Sequence, residues 1–157
     1  MNEEEIKDIL QKAKTIAVVG LSKEPQKDSY CVSFYLQQHG YLIIPVNPFV
    51  DEVLEEKSYK SLLDIPVETQ KTIDIVAIFR RPEDVTPIVE QAVQLKTQLG
   101  KSFVVWMQLG IVNEQAAEVA RKAGLFVVMD KCLMVEHHRL TWRAKLSQAT
   151  MTRQLQL

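Results

Sequence analysis

Short runs of β-branched apolar residues alternate along most of this chain with longer amphipathic stretches, and that alternation constrains the fold more than any other feature. Thr15 to Gly20, Tyr41 to Val46, Ile73 to Phe79, Ser102 to Met107 and Leu125 to Met129 are nearly continuously apolar, as strands buried on both faces must be. Between them, Ser29 to His39 sets Val32, Tyr35 and Leu36 at helical spacing and stops at Gly40. A second helix starts near Pro82, carries Val85, Ile88, Val89, Ala92, Val93 and Leu95, and stops at Gly100. Asn113 is the N-cap of a third, which runs through Lys122 and closes at Gly124. Phe49 to Thr72 reads as a partly irregular crossover, with a short helical turn over Ser58 to Asp64 before Pro66. The pattern gives an α/β fold with a parallel sheet. The expected layout is a single doubly wound domain, its five strands ordered 3-2-1-4-5, with a core over residues 13–140 and a C-terminal helical extension over 141–157.

Composition narrows the function. A chain of 157 residues is long enough for one full core and too short for two. With 19 Lys+Arg against 20 Asp+Glu, it carries no chain-wide basic field, so neither nucleic acid nor an anionic membrane is an expected partner. Its apolar runs are far shorter than the roughly 20 residues that span a bilayer. The first ten residues hold four acidic side chains and no apolar signal region, so a cytoplasmic location is expected. Cys31 and Cys132 have no CxxC spacing, which points to reduced thiols and no metal site.

In an open parallel sheet, ligands bind beyond the carboxyl ends of the strands where the strand order reverses. With the expected order, that is the loop after Gly20 together with Trp106-Met107-Gln108. The loop Gly20-Leu21-Ser22-Lys23-Glu24-Pro25-Gln26-Lys27-Asp28-Ser29 opens a helix, whose free N–H groups and dipole suit an anion, with hydroxyls from Ser22 and Ser29 and charge from Lys23 and Lys27. A capped helix flanked by solvated lysines would read the same way. No G-x-G-x-x-G follows strand 1, no carboxylate ends strand 2 before Asp51, and no Walker A motif occurs.

The motifs, taken in order, carry a resemblance. They are Val18-Val19-Gly20-Leu21-Ser22 with Pro25 and Ser29, Gly40-Tyr41 leading to Pro45-Val46-Asn47-Pro48, and Tyr59-Lys60-Ser61-Leu62 with Asp64-Ile65-Pro66. Val76-Ala77-Ile78-Phe79-Arg80-Arg81-Pro82-Glu83, Val105-Trp106-Met107-Gln108 with Gly110, and Asp130-Lys131-Cys132 followed by Glu136-His137 complete the series. The chain resembles the small cytoplasmic coenzyme A-binding proteins, a family similar to the N-terminal domain of the succinyl-CoA synthetase α subunit. The resemblance implies a Rossmann-like fold that binds coenzyme A or an acyl-CoA. Its pyrophosphate would lie on Gly20, Leu21 and Ser22 and the helix start after them, near Lys23, Pro25, Lys27 and Ser29. Adenine would lie near Val46, Asn47 and Pro48, where a carboxylate would repel the 3′-phosphate. Phe79, Arg80 and Arg81 would form another wall, and Trp106 and Gln108 would border the pantetheine arm. The chain departs from the family in lacking a glycine within Val53-Leu54-Glu55-Glu56 and in having Lys27 where arginine is common, which weakens a forked phosphate contact.

No catalytic constellation is identified, so the expectation is a small-molecule binding protein that does not transform its ligand. The alternatives are a CoA-ligase component, an NAD-dependent oxidoreductase, or a regulator that senses CoA or dinucleotides. Cys31 at a helix start reads as a packing cysteine rather than a reactive one, and Cys132, Glu136, His137 and His138 read as a structural loop rather than a metal cluster. Leu140 to Leu157 contains Arg143, Lys145 and Arg153 and no acidic residue, which suits a helix covering the body or meeting a second subunit in a homodimer.

Overall fold

A computed structural model describes residues 1–155. The last two residues of the expected extension, 156 and 157, lie outside the described residues. The chain opens with α1 (Glu3–Lys12), where Asn2 accepts a hydrogen bond from the Glu5 N–H and Glu3, Glu4 and Glu5 complement the helix dipole. It continues through β1 (Thr15–Val19), α2 (Asp28–Gln38) and β2 (Leu42–Val46) into a small hairpin of β3 (Glu52–Val53) and β4 (Glu56–Lys57). A 3-10 turn (Leu62–Asp64) and α3 (Val67–Gln70) lead to β5 (Ile75–Ile78), then α4 (Val85–Leu99), β6 (Val104–Met107), α5 (Glu114–Lys122), β7 (Phe126–Met129) and α6 (Leu133–Leu155).

The five long strands form one parallel sheet in the order β2-β1-β5-β6-β7. The α/β class, the strand count and the parallel pairing agree with expectation, but the order 3-2-1-4-5 is corrected to 2-1-3-4-5 among these five strands. The third strand pairs with β1, not with the outer edge of β2. Pro45 explains why β2 is an edge: it has no N–H to give to an outer neighbour. The Pro45 carbonyl instead accepts from the Tyr59 N–H at 3.1 Å, so the crossover covers that end of the edge. Right-handed connections then place α2 on one face and α4 and α5 on the other, and the order reverses between β1 and β5.

Two cores follow, one on each face. Ala17, Ile44, Val76, Ile78 and Val105 pack with Val89, Ala92, Leu95, Ala116 and Ala120 of α4 and α5. Ile16, Val18, Ile43, Ile75 and Trp106 pack with Leu10 of α1, Val32 and Leu36 of α2, and Leu133 of α6. Beyond Thr141 the residues of α6 are exposed, from Trp142 to Leu155, although Arg143 still reaches Glu3 of α1 at 3.3 Å. Among the described residues no helix is long and apolar enough to cross a membrane.

Candidate functional site

The carboxyl ends of β1, β2 and β5 are fastened to one another by a few backbone contacts. The Gly20 N–H donates to the Val46 carbonyl at 2.9 Å, and the Phe79 N–H donates to the Val19 carbonyl at 2.9 Å. Gly20 has φ +91°, and a Cβ placed there would lie 2.4 Å from the Phe79 carbonyl oxygen and 3.0 Å from Cδ of Arg80. Only glycine fits where the β1 and β5 turns cross. Asn47 ties in the third turn: its side-chain N–H donates to the Leu21 carbonyl, and its oxygen accepts from the Phe49 N–H, both at 2.9 Å.

The next segment turns into α2. The Ser29 hydroxyl oxygen accepts from the Ser22 N–H at 3.0 Å, and the Ser22 hydroxyl oxygen accepts from the Glu24 N–H at 3.0 Å. These hydroxyls shape the loop. Lys27 occupies the N-cap of α2 without a side-chain capping bond, and the helical hydrogen-bond ladder begins with the Cys31 N–H donating to the Lys27 carbonyl. The first turn of α2, which lines the space in front of β1 with Asp28 and Ser29, therefore carries N–H groups with no partner among the described residues.

That space divides at Gly20 into two clefts. One, of about 590 Å³, has a polar end at Ser22, Lys27 and Ser29 and an apolar end at Leu109, Ile111, Met134 and Val135. The other, of about 280 Å³, lies beyond β2 and β5 and is lined by Val46, Pro48, Lys60, Ser61, Arg80 and Asp84, among others. Asp84 is already paired with Arg81 at 3.1 Å, which leaves Lys60 and Arg80 as the positive groups of this cleft. A third cavity, of about 450 Å³, opens at the amino ends of the strands; Glu5, Asp8 and Asp74 line it with Lys12, which pairs with Asp8 at 3.0 Å, so its acidic side chains outnumber its one lysine and disfavour an anion.

Most of the residues singled out from sequence gather around these clefts, and several do not. Gly20, Ser22, Lys27, Ser29, Phe79 and Gln108 line the larger cleft, while Val46, Pro48 and Arg80 line the smaller. Trp106 is corrected from channel wall to core: it is fully buried, and its indole N–H donates to the Lys131 carbonyl at 2.8 Å. Arg81 pairs with Asp84 and with Glu83 at 3.5 Å, and Arg80 is the arginine that lines the smaller cleft. Leu21 is buried beneath the loop, Asn47 braces it, and Lys23 and Pro25 are exposed on its outer side. Gln108 does two jobs: it lines the larger cleft, and its side-chain oxygen accepts from the Leu133 N–H at 3.2 Å, satisfying the start of α6.

Sequence reasoning missed Lys60 and Ser61 as site residues, although the Tyr59-Lys60-Ser61-Leu62 motif contains them. The bridge between Tyr59 and Val46 carries that motif to the β2 edge. It also missed the α6 start as a cleft wall. Cys31 is exposed rather than a packing residue, and both Cys31 and Cys132 line the larger cleft.

His137 lies elsewhere, packed edge-on to Tyr35, His39 and Tyr41, with its Nδ1 2.9 Å from the Tyr35 hydroxyl. Burial, with the nearby His39 and His138, lowers its pKa below the usual histidine value. Burial and then the neighbouring Tyr35 push Tyr41 up to about 12. This cluster braces α2 against α6.

Residues 14–138 match the family model described as a CoA binding domain. The chain belongs to the CoA binding domain family. A Bacillus subtilis protein named YneT, itself uncharacterized, is 44% identical over 133 residues, covering 85% of this chain and 92% of that protein. An ADP-forming acetate–CoA ligase of Archaeoglobus fulgidus is 31% identical over 115 residues, which cover 71% of this chain and only 17% of the ligase. A hypothetical protein from Pyrococcus horikoshii superposes with a TM-score of 0.80 at 41% identity, covering 90% of this chain and 93% of that one. This CoA binding domain thus matches YneT across nearly its whole length and the ligase across a small part of its length.

Proposed function

We propose that this CoA binding domain holds coenzyme A or an acyl-CoA across the Gly20 ridge and catalyses no reaction by itself. The observation that carries the reading is the meeting of the two clefts at Gly20, beside the open N-terminus of α2. A ligand with a pyrophosphate in its middle suits that geometry. The pyrophosphate sits on the Gly20 to Ser22 turn and the first turn of α2, aided by Lys27. The adenine and ribose 3′-phosphate enter the smaller cleft against Val46 and Pro48, near Lys60 and Arg80. The pantetheine arm runs along the larger cleft, past Phe79 and Gln108, to the apolar end.

Calorimetric titration with CoA, dephospho-CoA, NAD and ADP tests this. CoA is expected to bind most tightly, with dephospho-CoA weaker by about tenfold for the loss of a charge-assisted contact. Tight NAD binding without CoA binding would overturn the proposal.

A second reading follows from the likeness to the A. fulgidus ligase: the chain serves as the CoA-holding component of an assembly whose other parts carry the chemistry. ATP-dependent acyl-CoA formation by this chain alone would contradict both readings. A cytoplasmic location and a homodimer paired through the exposed apolar residues of α6 complete the proposal, with Trp142 and Leu146 one turn apart on that helix.

A further inference from the structure

The chain has two cysteines, far apart in sequence, and the fold brings both to the wall of one cleft. They are held differently. Cys31, in the first turn of α2, stands at the polar end near Lys27 and Asp28, and its thiol donates to the Pro25 carbonyl at 3.2 Å. Cys132 immediately precedes α6, and its carbonyl accepts the Glu136 N–H at 2.9 Å. It is partly buried with the apolar group Leu109, Ile111, Met134 and Val135 in the same cleft. Coenzyme A has the same polarity along its length, with phosphates at one end and a thiol at the other. A pantetheine arm laid from the α2 start toward the apolar end would bring its sulfur toward Cys132 and leave Cys31 beside the phosphates.

We propose that this thiol pair makes the cleft a thiol–disulfide exchange site, in which Cys132 takes up CoA from a CoA-containing disulfide as a mixed disulfide while Cys31 stays reduced. This rests on the proposed CoA binding. The Cys132 thiol gives up its proton, and the resulting thiolate attacks the CoA sulfur of the incoming disulfide. That S–S bond breaks as the Cys132 Sγ–S bond forms, and the other half departs as a thiolate that picks up the proton. The disulfide is the oxidant, so no further electron acceptor is needed. Docking of the nucleotide raises the local concentration of the reacting sulfur, which makes the reaction selective for CoA over other small disulfides.

The test treats the purified, fully reduced protein with CoA disulfide or with pantethine, which shares the reacting arm but lacks the nucleotide, and follows intact mass and peptide maps. The expected result is one CoA per chain on Cys132, removed by dithiothreitol and formed about tenfold or more faster than the pantethine adduct. It should be abolished in Cys132→Ser and retained in Cys31→Ser. Labelling on Cys31, equal rates with the two disulfides, or labelling of Cys132 only after unfolding would each overturn the inference. Calorimetry with reduced CoA on the same preparations separates the two proposals. Binding of CoA without adduct refutes only the exchange chemistry, whereas no binding refutes the underlying reading.

Discussion

Gly20→Ala probes the junction on which the candidate site depends. At φ +91° the new side chain sits in backbone space that L residues rarely adopt, which costs roughly 1–2 kcal/mol. Its Cβ would also lie 2.4 Å from the Phe79 carbonyl oxygen, far inside any tolerable contact. That neighbour is backbone, fixed by its place between β5 and the following turn, so it cannot swing aside as the end of a long side chain would. Forcing the β1 and β5 turns apart adds about 1–3 kcal/mol, the usual cost of overpacking. The expected total is about 3 kcal/mol, equivalent to a fall of roughly 6–12 °C in Tm for a chain of this size. Thermal unfolding followed by circular dichroism measures it, with guanidinium titration checking that the transition remains cooperative. CoA affinity should fall as well, because both clefts share this residue. A variant that melts within a degree or two of the parent would refute the argument that backbone crossing requires glycine here. If that variant had nonetheless lost CoA, close approach of the ligand would be the reason for the glycine instead.

Arg80→Gln should weaken CoA about tenfold and narrow the gap between CoA and dephospho-CoA, whereas Arg81→Gln, already paired with Asp84 and Glu83, should leave both affinities unchanged; titration calorimetry compares them, and the reverse ranking would contradict the assignment of Arg80 to the smaller cleft. Glu55→Gly should raise the unfolding free energy by about 0.5–1 kcal/mol, read as a higher denaturant midpoint, since Leu54 and Glu55 at φ 55° and 63° form a two-residue hairpin turn that favours glycine; a lower midpoint would show that the Glu55 side chain contributes more than its backbone strain costs. The pKa of His137 is lowered in the fold, so below the usual histidine value the unfolded chain binds the proton more readily. Stability should therefore be full above about pH 6.5 and decline as the pH falls through the folded-state value, and His137→Gln should flatten that decline in denaturant midpoints measured from pH 7 to pH 5. Trp142→Glu should shift a dimer toward monomer in sedimentation if α6 pairs two copies, and a parent protein that sediments as a monomer would remove that part of the reading.

Local pattern explains how much of this was legible in advance. The five strands fall within the expected apolar runs, and the helices after Lys27, Asp84 and Asn113 start and stop near the residues that signal them, because capping and periodicity act over a few neighbours. Two further local signals lie in the sequence. Asn2 and Glu5 form a reciprocal cap that starts α1, a segment read only for its charge. Pro45 marks β2 as an edge, which the expected order ignored.

The sequence by itself determined the alternation of strands and helices, the glycine at the end of β1, and membership of a family whose motifs recur in order. Tertiary structure alone decided which strand neighbours β1, that Arg80 rather than Arg81 lines the smaller cleft, and that Cys31 and Cys132 share one cleft. Those outcomes depend on contacts between segments far apart in the chain. Nothing in the local spacing of an arginine or a thiol distinguishes the surface that will cover it from the cleft that will leave it open.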